Sequence, residues 1–134
     1  MKSKLTIDEN GNKEWKLPNG LLHRENNPAV EYVNGEKHWY INGERHREDG
    51  PAIEYSDGAK QWWVNGLRHR EGSPAVEYSN GNEWWYINDK LHRENGPAIE
   101  RSNGYKEWYL NGIKYTEQKH KKKMRSRKLK LLLH

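Results

Sequence analysis

The chain has 134 residues, of which 32% are hydrophobic and 32% charged, and it contains seven Trp and eight Tyr but neither Phe nor Cys. Disordered chains are poor in aromatic residues, so this composition argues against disorder throughout, and the absence of Cys excludes disulfides, thiol nucleophiles and Cys-ligated metal sites. No apolar run exceeds four residues, and the longest aliphatic one is Leu131–Leu133; the first eight residues lack the apolar core of a signal peptide. We therefore expect an intracellular protein (cytoplasmic, nuclear or virion-associated).

The charge is divided unequally along the chain. Of the 24 Lys and Arg residues, eight lie after Glu117, which leaves 16 in residues 1–117 together with all 19 acidic residues. A mildly acidic body thus precedes a strongly basic tail. We expect a repeat domain over residues 1–117 and a basic tail over residues 118–134.

A repeat of 23 residues runs through the body and indicates its fold class. Its landmarks are a His-Arg-Glu triplet, a Pro-Ala pair, a Gly, a Trp and an Asn, and terminal versions near 10–18 and 111–117 are irregular, as expected of caps. The triplets begin at His23, His46, His69 and His92, and the matching tryptophans are Trp39, Trp62, Trp85 and Trp108.

The turn residues within each repeat are those of β-hairpins. Asn65-Gly66 follows the segment 60–64, and both residue types tolerate positive φ. The segments between turns are too short for helices. We expect two main strands per repeat, joined by an ordered Asn-Gly-to-Pro connection with room for a short third strand. The predicted fold is all-β: an elongated single-sheet meander of stacked hairpins.

The unit from Trp62 to Gly81 resembles a MORN repeat, and most closely the MORN repeat variant. The resemblance covers roughly residues 10–117 and rests on an aromatic strand, an Asn-Gly turn, a His-containing connection, a second aromatic strand and a closing Gly. It implies a meander of hairpins with an aromatic-lined face, used for binding or assembly and not for catalysis. The sequence departs from the family where a Gly commonly follows the His, because Arg24, Arg47, Arg70 and Arg93 stand there.

The His-Arg-Glu ladder is one candidate binding site. Arg24, Arg47, Arg70 and Arg93 in a row would suit phosphates or acidic peptides. The alternative, which we favour, is that a residue present in every unit serves packing between units. The arginines would then pair with the repeated Glu31, Glu54, Glu77 and Glu100.

A second row of aromatic residues follows the tryptophans. Alternation places it on the opposite face of the strands, where it would form an exposed protein-binding face. The alternative is a twisted sheet with these rings lying along its surface. The row consists of Tyr40, Trp63, Tyr86 and Tyr109.

The sequence contains no constellation typical of an enzyme. The repeated histidines are expected to lie too far apart to share a metal ion, and no phosphate loop or nucleophile motif is present. We therefore expect neither catalytic residues nor a cofactor or metal.

The basic tail is the stronger candidate site. Clustered cations bind polyanions because each neutralised phosphate releases counterions, and the spacing of Leu129, Leu132 and Leu133 would also suit a short helix that docks on the body, a partner or a lipid surface. A solvated, disordered tail is the alternative. The cations are Lys119, Lys121, Lys122, Lys123, Arg125, Arg127, Lys128 and Lys130.

Three functions fit these features. The leading hypothesis is a non-catalytic scaffold that joins a macromolecular assembly, with its tail on nucleic acid and its aromatic face on protein. The second is a regulatory or antitoxin-like inhibitor that binds a protein without nucleic acid. The third is a peripheral membrane adaptor that uses the basic, leucine-containing tail.

Overall fold

The computed structural model describes residues 2–133, which form seventeen β-strands followed by one helix. The strands are β1 (Lys4–Ile7), β2 (Lys13–Lys16), β3 (Val30–Glu31), β4 (Lys37–His38), β5 (Tyr40–Ile41), β6 (Glu44–Arg45), β7 (Ile53–Glu54), β8 (Lys60–Gln61), β9 (Trp63–Val64), β10 (Leu67–Arg68), β11 (Val76–Glu77), β12 (Glu83–Trp84), β13 (Tyr86–Ile87), β14 (Lys90–Leu91), β15 (Ile99–Glu100), β16 (Lys106–Leu110) and β17 (Ile113–Tyr115). The helix, α1, spans Glu117–Leu132.

Eleven strands form one antiparallel sheet in the order β1-β2-β3-β4-β7-β8-β11-β12-β15-β16-β17. Neighbours in the sheet follow one another along the chain apart from the skipped pairs β5–β6, β9–β10 and β13–β14, each of which forms a separate two-stranded hairpin. This arrangement confirms the predicted all-β meander of hairpins. The N-terminal strand β1 adds an edge to the sheet ahead of the first irregular repeat.

The Asn-Gly turns have the backbone conformation that the sequence predicts. Asn65 has φ 51° and Gly66 has φ 77°, so both central residues are left-handed, as a tight type I′ hairpin requires. Asn88 and Asp89 adopt the same conformation, at φ 48° and 65°. Asp89 therefore replaces Gly without changing the turn, because Asp is among the residues that tolerate positive φ.

The segment 60–64, expected to form one strand, is divided at Trp62. The N–H of Trp62 donates to the carbonyl of Ala75 at 2.8 Å, and its own carbonyl accepts from the N–H of His69 at 3.1 Å. Residues before Trp62 pair within the large sheet, and residues after it pair with the short third strand β10. The chain thus changes partners at this tryptophan, and Trp39 and Trp85 do the same.

The core lies where the short hairpins meet the large sheet. Tyr86 of β13 packs with the buried Ala75 and Val76, and the half-buried Trp62 and Trp84 lie against them. The hairpins also bond to one another, since each Gly or Asp of a turn donates its N–H to the preceding hairpin, as Gly66 does to the carbonyl of Arg45 at 2.9 Å. The repeats therefore stack through two rows of backbone hydrogen bonds.

The basic tail forms a helix that begins one residue before the predicted boundary. Thr116 caps it, since its hydroxyl oxygen accepts from the N–H of Lys119 at 3.2 Å, and Glu117 lies in the first turn, where the helix dipole favours an acidic side chain. The helix contacts β16 and β17, the last two strands of the sheet. It follows directly from the last repeat, without a linker.

Candidate functional site

The arginines of the ladder are held by contacts within the repeats. Arg70 Cζ lies 3.7 Å from the centroid of the Trp62 ring, and Nη1 of Arg70 donates to the carbonyl oxygen of Pro74 at 3.0 Å and to the carboxylate of Glu77 at 3.1 Å. The arrangement recurs for Arg24 over Trp15, Arg47 over Trp39 and Arg93 over Trp85, at 3.7, 3.9 and 3.8 Å.

This geometry favours the packing role for the ladder. The arginine side chains are only 19–29% exposed, and each has its glutamate partner within 2.6–3.7 Å. A ligand would have to displace these contacts to reach the guanidinium groups. The arginines of the ladder therefore stabilise the individual repeats, and their guanidinium charges are already paired with glutamates.

The histidines of the ladder join neighbouring repeats. Nδ1 of His69 accepts a hydrogen bond from the N–H of Asn88 at 3.0 Å, across 19 residues of sequence, and Nε2 lies 4.0 Å from Glu71. The Asn whose N–H is bound opens the next hairpin turn, so each histidine fixes the position of the following hairpin. The same bond joins His23 to Asn42, His46 to Asn65 and His92 to Asn111 at 2.9, 2.9 and 3.0 Å.

The second aromatic row is less exposed than the alternating pattern predicts. Tyr86 is buried at 5% exposure, and the other three rings are half-buried. The expectation of an exposed row is wrong for Tyr86, because the chain changes pairing partners at Trp85 and Tyr86 then packs into the core. Arginines cover the neighbouring rings: Arg45 lies 5.3 Å from the Trp63 centroid, and Arg68 lies 4.1 Å from that of Tyr86. Protein binding by the row stays a prediction for Tyr40, Trp63 and Tyr109.

One buried histidine anchors the helix to the last repeat. His120 is 2% exposed, and its Nε2–H donates to the carbonyl oxygen of Arg93 at 2.6 Å. Arg127 lies 3.7 Å from Glu94 of the same connection. Sequence reasoning missed this anchor, although the signal was present: His120 and Met124 lie four residues apart, the spacing of one helix face, within a run of cations.

Docking through His120 distributes the cations over two faces of the helix. The outer face carries four exposed lysines around Ser126, namely Lys119, Lys122, Lys123 and Lys130. The other cations lie nearer the body, and two of them are paired: Lys121 with Glu117 at 3.0 Å, and Arg127 with Glu94 at 3.7 Å. Lys123 also lies 5.2 Å from the Tyr115 ring. Among the eight cations of the tail, those without an ion-pair partner in residues 2–133 are Lys119, Lys122, Lys123, Arg125, Lys128 and Lys130.

The leucines at the end of the helix do not pack on the body. Leu129, Leu132 and Leu133 are 60%, 80% and 83% exposed. The predicted apolar stripe therefore faces solvent, and docking on the body comes from the His120 face instead.

The described part of the chain contains neither a membrane-spanning helix nor a cluster of metal-ligating side chains. Its helix lacks the length and apolar character needed to cross a bilayer, and among residues 2–133 no group of His, Asp and Glu side chains could hold a metal ion. Comparison of the sequence with models of known protein families gave no match, and comparison with curated proteins gave none either. The resemblance to MORN repeats rests on the repeat residues and remains a prediction.

Proposed function

We propose that the protein is a non-catalytic intracellular scaffold that binds nucleic acid through the outer face of α1 and holds that helix rigidly on a β-hairpin repeat body. The observation that carries the proposal is the lysine face: Lys119, Lys122, Lys123 and Lys130 are exposed together. A disordered tail with the same charge would lack this fixed arrangement.

The spacing of these lysines suits a phosphate backbone. Residues 119 and 130 are eleven positions apart, about 16 Å along a helix, and phosphates of one B-DNA strand advance about 3.4 Å each along the duplex axis. The face therefore spans about five phosphates. Because the acidic residues of the chain all lie at or before Glu117, the body adds little attraction for phosphate, so the helix supplies most of the electrostatic binding.

The arrangement of the repeats supports a scaffold and not an enzyme. The ladder residues that would be the obvious candidates for acid–base or phosphate chemistry form hydrogen bonds within and between the repeats. A stack of such units gives a stiff support, since each unit contacts only its neighbours. We propose that this body positions the helix within a larger assembly.

A salt titration tests the proposal. The full-length protein should bind a short duplex with an affinity that falls as salt rises, and changing the four outer lysines to Gln should reduce the slope of log K against log salt by about 3 to 4. The matched control changes Lys4, Lys13, Lys37 and Lys60, which are exposed lysines of the body, to Gln. Equal slopes in the two variants would contradict the proposal.

The exposed leucines support a second candidate, binding to an anionic membrane surface. Leu129 and Leu132 lie beside cations near the end of the helix, a composition that favours insertion at the headgroup level of a bilayer. Flotation with anionic vesicles that is lost when Leu129, Leu132 and Leu133 become Ser would favour this candidate. The same variant should leave the salt slope with nucleic acid unchanged if the first proposal holds.

A further inference from the structure

A groove of about 840 Å³ lies between α1 and the last repeat. Its apolar lining includes Trp108 of β16 with Met124 and Leu131 of the helix, and cationic residues of the helix surround it, among them Lys121, Arg125 and Lys128. One acidic residue, Glu94, also lines it, and its carboxylate lies 3.7 Å from Arg127. An apolar base with a cationic rim suits a ligand that is flat, apolar and attached to negative charge.

Trp108 differs from the four tryptophans that precede it in the repeat pattern. In the full repeats an arginine follows the Trp by eight residues and lies over its ring, as Arg93 does over Trp85. At the corresponding position after Trp108 the chain has Thr116. Within residues 2–133 no Lys or Arg side chain lies over the Trp108 ring, whereas Trp15, Trp39, Trp62 and Trp85 each have one.

The groove is also unsuited to a replacement guanidinium from another molecule. Each earlier arginine pairs with a glutamate seven residues later, as Arg93 does with Glu100 at 2.6 Å. Among the described residues the groove offers no free carboxylate for such a pair: its one acidic side chain, Glu94, lies 3.7 Å from Arg127, and Lys121, Arg125 and Lys128 line it. A cationic ligand over Trp108 would therefore meet repulsion from the helix, while a neutral ring linked to phosphates would meet attraction.

We infer that the groove takes an unpaired base of single-stranded nucleic acid, which stacks on Trp108 while its flanking phosphates contact Arg125 and Lys128. The inference rests on the proposed function and adds to it a preference for single strands over duplexes. Bases in a duplex are stacked within it and cannot enter such a groove, whereas stacking of a base on an aromatic side chain binds single strands with little sequence preference. Trp108 is half-buried, and the base would contact the part of its ring that lines the groove.

The test compares three labelled probes of equal length with the full-length protein: a single strand, a duplex and an abasic single strand. We expect the single strand to bind more tightly than the abasic strand, by roughly 5- to 150-fold for one stacked base. Trp108→Leu should remove this difference and leave binding of the duplex and its salt slope unchanged. Trp108→Phe should restore part of it. The abasic probe needs no change to the protein, so it shows whether a base contributes to binding even if Trp108→Leu folds poorly, and the milder Trp108→Phe then tests the site.

The outcomes separate the two proposals. Equal binding of the abasic and normal strands to the unaltered protein would overturn the stacking inference while leaving the proposed function in place. Salt-insensitive or absent binding to all three probes would overturn both. A single-strand preference that survives in a folded Trp108→Leu variant would move the base to another site and overturn the inference alone.

Discussion

The guanidinium of Arg70 combines three contacts that are normally made by separate residues. It covers the Trp62 ring at 3.7 Å, donates to the carbonyl of Pro74 and pairs with Glu77. The guanidinium is planar and has five N–H donors, so it can stack on a ring and donate hydrogen bonds at the same time, whereas the ammonium of lysine is a single point charge. The residue in each triplet is therefore an arginine that connects the Pro-Ala segment, the second strand and the tryptophan of one repeat.

The contact between Arg70 and Trp62 should be measurable as a coupling energy. Arg70→Met and Trp62→Leu should each lower the free energy of unfolding, and the double variant should lose about 0.5–2 kcal/mol less than the sum of the two, the range for a partly desolvated cation–π pair. Urea titrations of the four proteins measure this difference. Fully additive losses would mean that the stacking contributes nothing beyond burial of each side chain.

At the scale of the elements, the sequence predicts the turns better than the strands. Asn65-Gly66 has only one common hairpin conformation, so its backbone is predictable from residue type alone. The break at Trp62 is not, because alternation reports which residues share a face of a continuous strand and carries no signal for a change of pairing partner. The burial of Tyr86 follows from the equivalent break at Trp85, and alternation along the sequence does not predict it for the same reason.

In the candidate site, too, some features are predictable from the sequence and others depend on the fold. Composition alone identifies the cations of the tail, since charge clustering needs no knowledge of the fold. Their separation into an outer face and a groove depends on how the helix docks, and the buried part of that docking is the hydrogen bond between His120 and the carbonyl of Arg93. That contact joins residues 27 apart in sequence, and only the folded last repeat brings them together. The role that we propose for Trp108 depends on the same docking.

One pair of residues on β16 should make the free energy of unfolding depend on pH. The hydroxyl of Tyr109 donates to the carboxylate of Glu107 at 2.8 Å, and this hydrogen bond lowers the pKa of Glu107 below its ordinary value, with burial opposing the shift and Lys114 adding to it. Because the pKa is lower in the folded state, the stabilisation is fully present above the unfolded pKa of about 4.3. It is lost as the pH falls through the folded pKa.

Tyr109→Phe should therefore cost more stability near neutral pH than at about pH 3, since protonated Glu107 no longer needs the hydroxyl donor. Urea titrations of both proteins across this range measure the cost at each pH. Tyr78→Phe is the control, because Tyr78 is a partly exposed tyrosine whose hydroxyl forms no hydrogen bond among the described side chains. A cost for Tyr109→Phe that stays constant with pH would contradict the expectation.

At the scale of the whole molecule, the helix that we propose as the binding element also lies at the end of the stack. Repeat arrays need a terminal unit that covers the last hydrophobic surface, and here α1 contacts β16 and β17, the final strands of the sheet. Deleting residues 117–134 would remove the cations and this contact together. Such a deletion cannot separate binding from stability, so a variant that keeps every cation is needed.

His120→Ala is that variant, because it removes the buried imidazole and leaves the carbonyl of Arg93 without its donor. We expect a loss of about 1–3 kcal/mol, the cost of an unsatisfied buried group, and expect it to be confined to the last repeat because each unit contacts only its neighbours. Amide hydrogen exchange should accelerate over residues 106–115 and stay unchanged around β3 and β4, with Gln118→Ala, an exposed site on the same helix, as the control.

The salt slope for duplex binding should persist in His120→Ala, since the eight cations of the tail remain. The preference for single strands should weaken, because the groove needs the docked helix. Unchanged exchange over residues 106–115 would mean that the helix does not hold the last repeat. A persistent single-strand preference with accelerated exchange would separate base binding from the docked geometry.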